Sequence, residues 1–231
     1  ALSSEKIAPV RDHHTTFVFE TTAGPYLYVI GGTDGWKTTH SDLLRAPINA
    51  DGSIGAFAKI GVLPGPRAGH TSAVIGTTLI VTGGVTGKSL LRDTLTATLA
   101  ADGTIGAFTK GPDLPEGLMH ATCVVRGNDM YILGGRGDAA GADISRAIVV
   151  RARVENGGLG AYTQMTKLPD HRSHHMAYLS HDRIYVLGGL HGSPLDGQHD
   201  ALSDIIRVPI EEDGSLGEWE TIGKLPSQLS V

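Results

Sequence analysis

Four short runs in this chain each open on a histidine: "HTTFVF" at His14, "HTSAVI" at His70, "HATCVV" at His120 and "HMAYLS" at His175. Neutral imidazole is the commonest side-chain ligand for transition metals, so four copies at one repeated place make a candidate metal ring. The same repetition fits a structural role, with each polar ring bonded to neighbouring backbone, and we place that reading first. Arg11, Arg67 and Arg172 stand three residues before three of these histidines, with Gly117 in the third copy. A guanidinium fork grips carboxylate, phosphate or sulfate through paired hydrogen bonds, or else satisfies backbone carbonyls inside a fold.

The elements that carry these residues repeat as well. "DGSIGAF" opens at Asp51, "DGTIGAF" at Asp102, "NGGLGAY" at Asn156 and "DGSLGEW" at Asp213, at steps of 51, 54 and 57 residues. Near-copies at such a period mean a repeated supersecondary unit. Asp-Gly and Asn-Gly supply the positive φ angles of a tight hairpin turn. Six residues after each turn begins comes a ring: Phe57, Phe108, Tyr162 or Trp219. One ring per unit at one position predicts a packing plug between adjacent sheets. Asp42, Asp93 and Asp204 each precede the turn by nine residues, and Ala147 takes that place in the third unit.

Upstream lies a second signature. "YLYVIGG" ends at Gly32, "TLIVTGG" at Gly84, "MYILGG" at Gly135 and "RIYVLGG" at Gly189. A strand-forming run stopped by Gly-Gly predicts a buried strand ending where backbone passes close to backbone. Each unit therefore reads as four strands. The first begins at the histidine, the second ends at Gly-Gly, the third carries the aspartate and the fourth carries the late ring. Leu63-Pro64, Leu114-Pro115, Leu168-Pro169 and Leu225-Pro226 close the units.

The Gly-Gly pairs, the late aromatic, and Tyr28, Tyr131 and Tyr185 three residues before the first glycine resemble the kelch repeat. The resemblance covers nearly the whole chain. Ile80 replaces the tyrosine in the second unit, and the family's usual tryptophan stands only at Trp219. The expected fold is all-β: a kelch-type β-propeller with four blades of four antiparallel strands. The blades fall at about residues 11–62, 67–113, 117–167 and 172–224 of a single propeller domain. Four blades closed on themselves, two chains joined into a larger ring, and part of a longer array all remain open.

The resemblance implies that the histidine strands are innermost. His14, His70, His120 and His175 would then converge on the channel as a metal ring, and Arg11, Arg67 and Arg172 would border its mouth. Kelch arginines at that place recognise acidic ligands, including acidic peptides and sialic acid. The variable loops after Gly-Gly are where such a scaffold sets specificity. Trp36 is expected to be exposed in one such loop for stacking on a sugar or peptide, and in another Arg136 opens an Arg136-Gly137-Asp138 tripeptide of integrin type. His191, Asp196, His199 and Asp200 are spaced irregularly for a metal and read as a solvated polar loop.

Composition narrows the function classes. Among 231 residues, 40% are hydrophobic, enough for a core, while 32 glycines and 5% aromatics favour many tight turns. A net charge of -5 weighs against nucleic acid, and no apolar run is long enough for a membrane span. Cys123 has no second cysteine to pair with. Nucleophile-elbow, zinc-protease, Walker and paired-cysteine motifs are missing from these residues. The expectation is a non-catalytic scaffold without a cofactor, binding a protein or glycan partner, or an anionic ligand through the arginines. One alternative is a kelch-type enzyme, either sialic-acid mutarotase-like or a histidine-ring metalloenzyme using a transition metal. Another is a structural segment of a larger surface protein. The repeat style resembles exported bacterial kelch arrays, which implies a secreted, periplasmic or cell-surface location, and self-association into a larger ring is a further expectation.

Overall fold

The computed structural model describes residues 7–139, 142–193 and 198–226, and these form strands, turns and loops with no helix. Four antiparallel sheets follow one another along the chain. Blade 1 pairs Thr15–Thr21, Gly24–Ile30, Asp42–Pro47 and Ala58–Val62 in that order. Blade 2 pairs Thr71–Ile75, Thr78–Thr82, Thr94–Thr98 and Thr109–Lys110. Blade 3 pairs Thr122–Arg126, Asp129–Leu133, Val149–Glu155 and Thr163–Gln164. Blade 4 pairs Met176–Ser180, Arg183–Ser193, Gln198–Pro209 and Glu220–Lys224. The first strands of successive blades neighbour one another, which makes them the inner strands.

The turns form for local reasons. In three of them the aspartate side chain caps its own loop: Asp51, Asp102 and Asp213 accept from the amides of Ser53, Thr104 and Ser215 at 2.8–2.9 Å. The glycine after each aspartate takes φ near +80° (80, 81 and 81°), which a side chain would resist. The second strands of blades 2 and 3 are buried on both faces, so their sequences run apolar without alternation.

The core lies between blades. Tyr28, Ile30 and Leu43 of blade 1 pack with Leu79, Val81, Leu95 and Phe108 of blade 2. Ile75 and Ile80 of blade 2 pack with Ile132, Val150 and Tyr162 of blade 3. Tyr131 and Val149 of blade 3 pack with Ile184, Ile206 and Trp219 of blade 4. The late rings of blades 2, 3 and 4 thus plug the seam to the blade before them. Polar grips join two of these seams. Tyr28 Oη donates to Gly103 O at 2.9 Å and Arg45 to Asp102 O at 3.2 Å. Tyr131 Oη donates to Gly214 O and Arg151 to Asp213 O, both at 2.8 Å. In blade 2 the same opposed pair is Ile80 and Thr96. There Tyr162 Oη instead reaches Thr94 Oγ1 at 3.0 Å.

The first glycine of three of the pairs is required sterically. A Cβ on Gly31, Gly83 or Gly134 would lie 2.5 Å from the carbonyl oxygen of Arg67, Leu118 or Arg172 in the next linker. The following glycine's amide donates to that same carbonyl, at 2.7–2.9 Å. Blade-to-blade contact therefore begins at the Gly-Gly pair.

Candidate functional site

Antiparallel alternation puts the loops after Gly-Gly and the linkers between blades at one end, opposite the Asp-Gly turns. Bridges between linker and loop confirm this grouping: Asp12 with Thr33, Ala68 with Val85, and Ser173 with Leu190. This loop face holds most of the residues singled out from the sequence.

The three arginines are braces whose terminal guanidinium nitrogens already hold partners. Arg11 makes two hydrogen bonds to Asp42 (2.6 and 2.9 Å) and one to Gly31 O at 2.9 Å. Arg67 donates to Asp93 at 2.8 Å and Gly83 O at 3.0 Å. Arg172 holds Asp204 at 2.8 and 3.1 Å and Gly188 O at 3.1 Å. Their side chains are 0, 4 and 0% exposed. The expectation of arginines bordering the channel with open forks does not describe them, because an anionic ligand would have to displace an internal aspartate. Asp42 sits below the usual carboxylate range because Arg11 outweighs its burial. Leu118, not Gly117, takes the arginine's backbone position in the third unit, since Gly84 N bonds to Leu118 O as Gly32 N bonds to Arg67 O. Arginine and aspartate are thus lost together there, as Leu118 and Ala147.

The histidines form two rows where the sequence suggested one. Against the second Gly of each pair stand His14, His70, Ala121 and His175. His70 Nε2 shares a hydrogen bond with Thr15 Oγ1 of blade 1, and His175 Nε2 with Thr122 Oγ1 of blade 3, both at 2.8 Å. These rings link blades. Burial first, then Arg67 and His14, pushes the His70 pKa down to about 3. Burial, Arg172 and His174 do the same for His175, also to about 3. His14 is lowered as well, by burial and Arg11. His120 does not belong to this row: Ala121 fills its place, so the expected ring of His14, His70, His120 and His175 does not form.

His120 belongs one residue earlier, with His13, Gly69 and His174. All four have left-handed backbone, φ 52, 59, 54 and 53° for residues 13, 69, 120 and 174. Their backbones are hydrogen-bonded in sequence: Gly69 N to His13 O and His120 N to Gly69 O at 2.8 Å, His174 N to His120 O at 3.3 Å. Ring centroids lie 4.9 Å apart for His13 and His120 and 4.0 Å for His120 and His174. Burial, helped by His174, His13 and Arg136, pushes the His120 pKa down to about 2.

Trp36 flanks this row, as a half-exposed ring in the loop after the first Gly-Gly pair. Its ring centroid is 4.6 Å from His13 and 6.2 Å from His120. Arg136 lies in a strand that pairs with Leu118–Met119 on the same face, and its charge acts on His120. His191 stacks near His171 at 6.2 Å, while Asp196 lies outside the described residues. Below the row, a cavity of about 430 Å³ opens between the inner strands, lined by Thr15, His70, Thr71, Thr122 and Met176. The sequence signal missed for this row is the count of two from the brace position: Arg11 to His13, Arg67 to Gly69, Leu118 to His120, Arg172 to His174.

Successive four-stranded sheets packed face to face, each joined to the next at a Gly-Gly pair, define a kelch-type β-propeller. The family model of the KLHDC2/KLHL20/DRC7 Kelch-repeats domain matches residues 2–189. The chain belongs to this kelch-repeat family. No curated protein sequence matches it. Among solved structures, that of YjhT superposes with a TM-score of 0.72 at 17% identity, over 95% of this chain and 72% of the YjhT chain. That likeness is one of fold.

Proposed function

We propose that the chain is a recognition scaffold that binds a protein partner on its loop face, with Trp36 as the anchor. One observation carries this reading: a tryptophan 50% exposed, held at φ 64°, where the left-handed backbone of a large residue stores roughly 1–2 kcal/mol. Aromatic anchors of this kind dominate protein interfaces once their surroundings are desolvated. The kelch fold supports the reading, since kelch domains mediate protein interactions. The filled arginine forks argue for apolar and aromatic contacts over an anionic ligand.

The test is selection of displayed peptides against the folded chain, with a glycan array in parallel. Peptides should emerge whose affinity drops at least about tenfold on Trp36→Ala. Glycan binding without peptide binding would move the partner to the sugar class. Peptides indifferent to Trp36 would overturn the placement of the site.

A further inference from the structure

His13, His120 and His174 each offer a ring nitrogen, and the three lie within 4.8 Å of one another. They come from the linkers of three different blades and meet on the loop face. Both nitrogens of His120 are buried without a hydrogen-bond partner, a state that costs free energy unless something else satisfies them. His13 Nδ1 is paired with Asp12 Oδ1 at 2.8 Å. A carboxylate on one ring nitrogen turns the other outward and makes it a better donor, which is how metal-bound histidines are commonly held. His174 Nδ1 is fixed by Ser173 Oγ at 3.0 Å, and Ser173 Oγ by Ser145 Oγ at 3.1 Å.

The backbone adds an independent observation. The row needs φ near +55°, glycine meets that need at Gly69, and yet the other three positions are histidine. Each departs from the residue that the backbone alone would favour. At the fourth position a side chain is kept out: a Cβ on Gly69 would lie 2.9 Å from His120 Nε2. The space over Gly69 is taken by the His120 ring itself, which brings three imidazoles together as a three-nitrogen ligand set.

We propose that His13, His120 and His174 bind a first-row divalent transition metal, best Zn(II), on the loop face where the three linkers meet. Tetrahedral zinc with nitrogen ligands at about 2.0–2.1 Å places those nitrogens about 3.3 Å apart, so the three rings draw inward on binding. Asp12 orients His13 from behind, and Trp36 shields the His13 side. Arg136 adds opposing positive potential at His120. This set differs from the row of His14, His70 and His175, in which His70 and His175 bond to threonine across seams.

The decisive experiment titrates untagged, chelator-stripped protein with Zn(II), followed by native mass spectrometry, and with Co(II), followed by its visible absorption. One metal per chain is expected, with the absorption of a tetrahedral site. His120→Gly should weaken binding more than about 100-fold and Asp12→Asn about tenfold, while His191→Ala changes nothing. In chelator, His120→Gly should melt no lower than the parent, because glycine suits the left-handed backbone. Should that variant fail to fold, His120→Asn, which also tolerates this backbone, takes its place. Absence of stoichiometric uptake by the folded parent chain, or uptake that survives loss of His120, would overturn the proposal.

Discussion

His174 and His175 are neighbours in the chain, yet their rings belong to different parts of the molecule. His175 points into the seam between blades 3 and 4 and is 2% exposed, bonded to Thr122. His174 turns to the loop face and packs at a tilt against His120, with ring centroids 4.0 Å apart. The same split separates His14 from His13. One step along the backbone divides a frame row, which joins blades, from a mouth row, which faces whatever approaches the axis. A repeat protein can therefore hold a scaffold and a variable surface in adjacent residues, because left-handed backbone at the mouth row turns successive side chains to different environments.

The frame should break hardest at its braces. Arg172→Met leaves Asp204 without its cation in a largely buried setting, at a cost of about 3 kcal/mol. Urea denaturation of the variant beside Trp36→Ala checks the contrast, since the mouth substitution should change stability by less than about 0.5 kcal/mol. Equal losses from both would erase the distinction between frame and mouth.

Acid should act mainly through the buried rings. His70 and His175 have folded pKa values near 3, against about 6.5 in the unfolded chain. Between these values the unfolded chain binds protons that the folded chain refuses. Stability is therefore full above about pH 6.5 and falls as pH drops toward 3, by about 1.4 kcal/mol per pH unit for each ring at most. His120, near 2, adds a similar slope from the mouth. Urea midpoints measured from pH 7 to 4.5 should show this, and His175→Gln should remove one proton's worth. The groups acting on these rings are Arg67 and His14 for His70, and Arg172 and His174 for His175. A flat profile in the parent chain would mean that these rings open to water before the fold does.

Much of the frame is legible in the sequence because sterics and turn chemistry write it directly. Gly-Gly marks backbone contact, Asp-Gly marks a capped turn, and the late ring marks a seam. The loss of arginine and aspartate together in the third unit also stands in the sequence, though only the backbone shows that Leu118 and not Gly117 takes the arginine's place. The mouth row is harder to read, because alignment by strand pattern puts His120 beside His14, His70 and His175. The left-handed φ and the linker carbonyls of Arg67, Leu118 and Arg172 fix the register, and Gly69 is the sequence trace of the first. The arginines misled for a related reason: sequence shows a fork but not the aspartate, some thirty residues on, that already fills it.

The smallest effect tests whether the seams share one design. Tyr28 and Tyr131 are fully buried and donate to the turn of the next blade. Tyr185 occupies the same place in blade 4, opposite Arg207, but is only partly buried and stacks on Tyr178 at 5.0 Å. Removing one buried hydroxyl orphans a turn carbonyl, so Tyr28→Phe and Tyr131→Phe should each cost about 1 kcal/mol. At Tyr185 the hydroxyl donates to no turn carbonyl among the described residues, so Tyr185→Phe should fall well below that value. Thermal and urea unfolding of the three variants side by side give the answer. If Tyr185→Phe costs as much as the other two, the outer face of blade 4 is gripped in solution as the inner seams are, and the contrast drawn from burial fails there.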